Sequence, residues 1–435
     1  MNGHNRLQKT LIGASSRLTR RHSRAGARLL DFVVTPLLGN SFLYSTAAAR
    51  NRKIVRSIRA LRRILVIPDI HIGDAVMTQA SVSALRDLFP GAEVDYVINR
   101  TVFPLIRGNP DATRVFPLFR GGAFPSAELL KELRELVSSG DYDLGLNHSP
   151  FIKDRDIAAA GVPVLNFMSR APVIVLQERF PGGVNHFIYH MYHFAYDLLF
   201  SVAPEARAKH FRGVSLTLAD TAWERARVLA IQSGLSPARP GVMVNPDAAS
   251  PFSRMPFDQL VDFINRLARL PAILLLGEGH SDPGIGERIK SSLPPAFQAK
   301  IKIIPVDFPL DAYAALIDFC DVFVSGDTGP LHIAAARKFS RTGRFKFRNR
   351  TSVLSFFGAT LARLSGYDSS QPGFLAANQD APSWTFVSRS PCRNITCLDK
   401  LYKTCPVVRC FEGLDLGGMV ERVEATVQAR RPRAS

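Results

Sequence analysis

The stretch DVFVSGDTGPLHIAAA, residues 321–336, decides the fold. An apolar run, Val322 to Val324, ends at Ser325, breaks into Gly-Asp-Thr-Gly-Pro and resumes as a small-residue segment of helical composition. A short apolar strand that passes through a glycine turn into a helix is the unit of a parallel α/β sheet. Gly329 frees the backbone, and Pro330 suits the first helical turn, where its missing N–H is no loss. The helix then starts with exposed N–H groups at a strand's carboxyl end, an anion site suited to a diphosphate. Thr328 adds a hydroxyl donor, and His332, one turn further in, reaches either a phosphate or the loop. Asp327 is the awkward member, since a carboxylate there either caps backbone N–H groups or accepts from a ligand hydroxyl. The bland alternative is a purely structural strand-to-helix turn.

The same alternation extends outward in both directions. RRILVIP (62–68) is a buried-strand pattern, followed by the loop DIHIGD and the helical AVMTQASVSALRDLF, which stops at Pro90-Gly91. EVDYVIN (93–99), RVFPL (114–118) and DLGLN (143–147) are further strands, with a helix in SAELLKELRELVSS between the last two. After a helix at 218–235 with a capping signal at Asp220, and the hinge-like SPARP, the pattern restarts. GVMVNP (241–246), AILLLG (272–277), IKIIPV, DVFVS and SVLSFFG (352–358) are strands, and FDQLVDFINRLAR (257–269), GIGERIKSSL and LDAYAALIDFC are helices. The fold class is therefore α/β, with two doubly wound Rossmann-like domains facing a central cleft and a basic N-terminal extension. The expected boundaries are 1–60 for the extension, 61–210 and 239–412 for the two domains, 211–238 for a linker helix and hinge, and 413–435 for a C-terminal helix and basic tail.

Opposite the first motif stands IHIGDAVMT, again at a strand's carboxyl end. Asp74, beside Gly73, is either a helix cap or a general base that takes a proton from an acceptor hydroxyl, and His71 is placed to assist it. In VNHFIYHMYHFAYDLLFSV (184–202), His186, His190 and His193 fall at i, i+4 and i+7. Two could share a metal, but no HExxH glutamate accompanies them, and a core-facing or interdomain helix is the preferred reading.

The formal net charge of +18 is concentrated at the start, where residues 1–63 carry fourteen Lys or Arg against Asp31 alone. Such a leader fits a nucleic-acid arm, a transit peptide or a membrane-surface anchor. Its best apolar segment, LLDFVVTPLLGNSFLYSTAAA, is too broken by Asp31, Pro36, Gly39 and Asn40 to span a bilayer. An interfacial segment drawn to anionic lipid is preferred over a solvated tail. Five cysteines in 435 residues make no disulfide scaffold, which points to a reducing compartment. Cys320 reads as core. Cys392, Cys397, Cys405 and Cys410 are clustered, but their C-x4-C-x7-C-x4-C spacing departs from common zinc knuckles, and no metal site is assigned.

The blocks ILVIPDIHIGDAVMTQASVSALRDLFPGAEVDYVIN, VNPDAASPFSRMPFDQLVDFI and DVFVSGDTGPLHIAAA, in this order and at these separations, resemble the ADP-heptose lipopolysaccharide heptosyltransferase family (glycosyltransferase family 9) from about residue 63 to about 425. The resemblance implies a GT-B fold with the nucleotide-sugar donor on the carboxyl-terminal domain and the acceptor on the amino-terminal one. It implies that Asp74 is the catalytic base and that Asp327, Thr328, Gly329 and His332 surround the donor's diphosphate. The family's middle block usually reads PGASxPxKRWP. Here Asp247 replaces the glycine, Ser253 the phosphate-binding lysine and Met255 the tryptophan, which leaves Arg254 as the cation nearest that role.

The expected activity is inverting transfer of heptose from ADP-heptose to a lipopolysaccharide core or similar glycolipid, with ADP-sugar as substrate and no obligatory metal. The alternatives are the same fold with another nucleotide sugar or acceptor, or a catalytically silent nucleotide-sugar- or glycolipid-binding protein. The expected partners are the nucleotide sugar, a lipid-linked oligosaccharide and an anionic membrane surface, with nucleic acid disfavoured, and the expected place is the cytoplasmic face of the inner membrane. A basic segment, RKFSRTGRFKFRN (337–349), interleaves six Lys or Arg with three Phe, and reads equally as a phosphate grip or a solvated loop.

Overall fold

The computed structural model describes residues 41–58, 60–69, 71–119, 127–149, 152–158, 161–170, 186–203, 213–214, 216–236, 238–250, 253–279, 281–338, 351–358, 360–369, 381–389 and 409–430. The leader up to residue 40, most of the basic segment 337–349, and Cys392, Cys397 and Cys405 lie outside them.

Two all-parallel sheets carry the chain. The first has the order β3-β2-β1-β4-β5, from β1 (Arg63–Ile67), β2 (Glu93–Asn99), β3 (Arg114–Phe119), β4 (Leu144–Asn147) and β5 (Val164–Asn166). The second has the order β11-β10-β9-β6-β7-β8, from β6 (Gly241–Asn245), β7 (Ile273–Gly277), β8 (Ile301–Ile304), β9 (Val322–Gly326), β10 (Ser352–Phe357) and β11 (Ser383–Val387). Counted from its own first strand, each sheet runs 3-2-1-4-5, and the second adds a sixth strand. The order reverses between first and fourth strands, β1/β4 and β6/β9, and ligands of such sheets bind at the carboxyl ends on either side of that reversal.

The central strands are mostly apolar because both faces are covered, and β6, β9 and β10 are buried at every residue, including the polar Asn245, Ser325, Ser352 and Ser355. The helices that cover them are α1 (Ser41–Ser57), α2 (Ile72–Leu88), α3 (Ala127–Ser139), α4 (Phe187–Leu199), α5 (Asp220–Gln232), α6 (Phe257–Leu267), α7 (Ile285–Ser291), α8 (Leu310–Ile317), α9 (Gly329–Lys338) and α10 (Leu416–Arg430). Small residues on α2, among them Ala80, Ser81 and Ala84, let α4 approach closely, and Ser81 Oγ donates to the Met191 carbonyl. Met419, Val423 and Val427 of α10 join the core of the second sheet beside Phe263 and Leu267 of α6.

Four local expectations change. α2 begins at Ile72, so Asp74 lies within its first turn, and the cap position belongs to His71, whose side chain makes no capping bond. At α5 the cap position is Ala219, with Asp220 one residue inside. β5 and β11 were not anticipated. The first is three residues long, and the second, SWTFV, carries half-buried aromatic and polar side chains of an edge strand rather than a solid apolar run.

Candidate functional site

The starts of α2 and α9, one from each domain, press against each other. A Cβ at Gly73 would stand 2.5 Å from His332 Cδ2, and one at Gly329 would stand 2.7 Å from Ile72 Cβ and 3.4 Å from the Gly73 nitrogen. Both glycines are required by this approach, because any side chain at either would push the domains apart. The first turns of two helices that follow the first strand of one sheet and the fourth of the other are thereby joined into one seam.

On the amino-terminal side the seam carries Asp69, His71 and Asp74. His71 Nδ1 lies 3.4 Å from Asp69 Oδ2 and 3.7 Å from Asp74 Oδ2. One ligand atom from each of the three falls within 4.8 Å of the others. Two half-buried carboxylates and an exposed imidazole thus share the helix start. The cap position is held by His71, whose side chain makes no capping bond, and Asp74 lies inside the first turn rather than at the cap. Its side chain is 35% exposed, yet enough protein crowds it to push its pKa up to about 6. Burial is the first cause and the charge of Asp69 the second. His71 and His332 pull the other way, and Asp327 adds a further push. The two domains thus already act on this one carboxyl.

On the carboxyl-terminal side, Asp327 Oδ1 faces His332 Nε2 at 3.7 Å, while His332 Nδ1 shares a 2.8 Å hydrogen bond with the buried Tyr367 hydroxyl. Asp327 therefore aligns the histidine, and His332 spans from its own loop to the opposing domain. Thr328 Oγ1 sits 2.8 Å from Ser325 Oγ and accepts from Asn245 Nδ2 at 3.2 Å. Asn245 Nδ2 also donates to Ser325 Oγ at 3.3 Å, which ties the carboxyl ends of β6 and β9 together across the sheet reversal, and to the Asp247 carbonyl at 2.8 Å within its own loop. Ser253 is buried, and its carbonyl lies where a Cβ at Gly326 would go. Arg254 is not a free cation. Its Nη2 lies 2.6 Å from Asp247 Oδ1 and donates to the Ala248 carbonyl at 2.7 Å, and its Nη1 reaches Asp282 Oδ2 at 3.4 Å.

The structure brings Gly73, Asp74, Asp327, Gly329 and His332 together at the seam, with His71 beside Asp74 and Thr328 at the turn. Ser253 and Arg254 belong to a neighbouring corner at the end of β6. Residues not anticipated include Asp69, Asn245, Ser325 and Tyr367. Asn245 and Ser325 carried a usable signal, because each ends a central strand in a polar side chain. Tyr367 carried none, since it comes 35 residues after His332.

The histidines of α4 are not gathered as a metal set among the described residues. His186 and His190 are buried, His186 Nδ1 accepts from the Ile188 N–H, and His193 Nδ1 pairs with Asp197 at 2.9 Å. Cys320 is buried in the core, where its thiol contacts the Leu316 carbonyl at 3.5 Å.

Residues 212–340 match the family model for glycosyltransferase family 9 (heptosyltransferase). Lipopolysaccharide heptosyltransferase 3 of Escherichia coli K12 is 23% identical over 307 residues, which is 66% of this chain and 80% of that protein. A glycosyl transferase family 9 structure from Veillonella parvula superposes with a TM-score of 0.62 at 16% identity, over 86% of this chain and 99% of its own. The E. coli ADP-heptose lps heptosyltransferase II does so with a TM-score of 0.58 at 17% identity, over 84% and 99%. These structures show the shared two-domain architecture. The family model and the curated relative carry the resemblance to the heptosyltransferases, and they indicate that the chain is a glycosyltransferase.

Proposed function

We propose that the protein transfers heptose from ADP-heptose to a lipopolysaccharide core or similar glycolipid with inversion at the anomeric carbon. Asp74 takes the proton of an acceptor hydroxyl, whose oxygen attacks the anomeric carbon as the bond to the ADP oxygen breaks on the opposite face. The departing diphosphate collects at the N–H groups of the α9 start, beside Thr328 and Gly329, with Arg254 and the polar edge near Ser253 adjacent. Asp327 and His332 form the seam that closes over the reacting groups. The observation that supports this reading most is the position of Asp74, a first-turn carboxyl with a pKa near 6, facing the anion-ready start of a helix on the other domain. A base with a pKa near the working pH is ionised there while keeping most of its basicity. ADP and ADP-2-deoxy-2-fluoro heptose are bound by solved E. coli relatives, which makes an ADP-sugar the first donor to try.

The same reading keeps the protein at the anionic cytoplasmic face of the inner membrane. Among the described residues no helix is long and apolar enough to cross a membrane. α1 turns Asn51 and Val55 inward, with Asn51 bonded to the Asn166 carbonyl and Ser169 Oγ, and leaves Arg52, Lys53 and Arg56 exposed. That fixes a basic face at the carboxyl end of β5 on the acceptor side, continuous in sequence with the basic leader.

The test is turnover. Purified protein with ADP-heptose and a truncated lipid-linked acceptor should release ADP, with proton NMR of the product showing the inverted anomer. Donor binding without ADP release would instead support the silent binding protein, and release with retained configuration would remove the single-displacement mechanism.

A further inference from the structure

We propose that Asp247 is a specificity-determining residue of the donor side, an internal anion that competes with a ligand's phosphate for Arg254. The inference rests on the reading of the β6 and β9 ends as a phosphate-binding corner, and concerns how tightly and how selectively that corner binds.

Asp247 is pinned where it stands. Its Oδ2 accepts from the Ser281 N–H at 2.9 Å, its carbonyl accepts from Asn245, and Gly279 leaves room for it, since a Cβ there would collide with the carboxyl. Through Asn245 it is coupled to Thr328 and so to the α9 start. The Asp247 side chain is 7% exposed and that of Arg254 26%, so their 2.6 Å pair is poorly screened. Asp282, the other acid near Arg254, is already matched by Arg288 Nη2, which lies 2.8 Å from both its oxygens. Asp247 is therefore the anion that balances Arg254.

Two arginines and two aspartates leave this corner with no net charge to offset a phosphate. The pair is nonetheless incompletely used, because Arg254 Nε and Asp247 Oδ1 are both buried and neither finds a hydrogen-bond partner among the described residues, so the two are held by charge at close range. A ligand anion that takes Arg254 from Asp247 gains a strong paired contact, but only by leaving a buried carboxylate less well balanced. Asp247 thus lowers the affinity of the corner for phosphate in general and favours ligands whose remaining contacts offset the exchange.

Isothermal titration of the full chain with ADP and, separately, with inorganic pyrophosphate tests this at fixed ionic strength. Asp247→Asn keeps the size of the side chain and its acceptor for Ser281. It should tighten both ligands at least threefold, Arg254→Ala should weaken both, and the double variant should lose the gain. Asp247→Gly serves as a second variant, expected to shift affinity in the same direction. Unchanged or weaker binding by variants that melt like the parent overturns the inference, as does failure of every form to bind either ligand. A response to pyrophosphate without any binding of ADP sustains it and removes the ADP-sugar reading instead.

Discussion

Gly73 and His332 meet across the seam so closely that one methyl group on the glycine would stand 2.5 Å from the imidazole Cδ2. The ring has little freedom to retreat, being hydrogen-bonded to Tyr367 at Nδ1 and faced by Asp327 at Nε2. Gly73→Ala should therefore open the seam rather than displace the histidine. Overpacking of this kind costs about 1–3 kcal/mol, and here the strain falls between domains that each keep their own sheet. The expected result is a fall in kcat/KM of tenfold or more with a modest loss of thermal stability. Gly329→Ala, which meets Ile72 Cβ at 2.7 Å, should behave alike. Wild-type kinetics in both variants would show that the contact has no part in assembling the site.

Asp74→Asn keeps the size of the side chain and removes its basicity. Loss of a general base typically lowers the rate by about 10²–10⁴-fold, and because asparagine removes an ionised carboxyl whose pKa the fold raises to about 6, the variant should melt no lower than the parent at neutral pH. Steady-state assay with ADP binding measured in parallel separates the two effects, because the donor corner is untouched. Turnover equal to the parent's would remove Asp74 from the chemistry.

The pH dependence follows from the same carboxyl. Its pKa is raised to about 6, so the base is ionised above that value and protonated below it. The rate should hold near neutral pH and decline tenfold per unit as pH falls below about 6. Asp69→Asn removes the second-largest cause of the rise and should move the limb to lower pH. An acid limb that stays in place in that variant would assign the titration to another group.

How much of this was legible in the sequence depends on how locally each feature is determined. Short apolar runs such as ILVI and VFV marked the central strands, because a parallel strand covered on both faces is apolar at nearly every position. β5 and β11 were missed because three residues, or an edge strand with Trp384 and Thr385 only partly covered, leave no such run. Asp74, Thr328 and Gly329 were visible because strand ends and helix starts are where backbone N–H groups and ligands meet. What sequence could not give was pairing at a distance. Asp247 reads as a lost glycine and Arg254 as a spare cation, and that each balances the other emerges only when the β6 loop is folded. The register of α2 mattered as well, since a start three residues earlier than expected moved Asp74 from a possible cap into the first turn, beside His71.

Asn245 should prove as important to the donor side as any charged residue. Its amide N–H groups tie the Asp247 carbonyl to the hydroxyls of Ser325 and Thr328, all close to or within the buried ends of β6 and β9. Asn245→Ala leaves those acceptors without their donor, at roughly 1–3 kcal/mol, and unfastens the turn that begins α9. Denaturant melts should show the loss, and ADP affinity should fall with it. Asn245→Asp, which has acceptors where donors are needed, should be worse than alanine. The reverse order would mean that the network is not built on donation from Asn245.

His148 follows β4, immediately across the reversal from β1, and its N–H donates to the Ile67 carbonyl. Its ring packs against Phe167 and Phe194 at 5.0 and 5.3 Å, and among the described residues neither ring nitrogen finds a hydrogen-bond partner. Burial lowers its pKa from 6.5 to about 3. The unfolded chain therefore binds a proton between these values that the folded chain does not, and stability falls as pH drops through that window. The contribution lost by pH 5 is about 2 kcal/mol, and none is lost above about pH 7.5. His148→Phe removes both the orphaned nitrogens and this titration. It should raise the melting temperature at neutral pH and widen its advantage over the parent as pH falls to 5. A variant that melts lower than the parent at pH 5 would show that the imidazole nitrogens are met by a buried water or ligand, and are not the liability their surroundings make them.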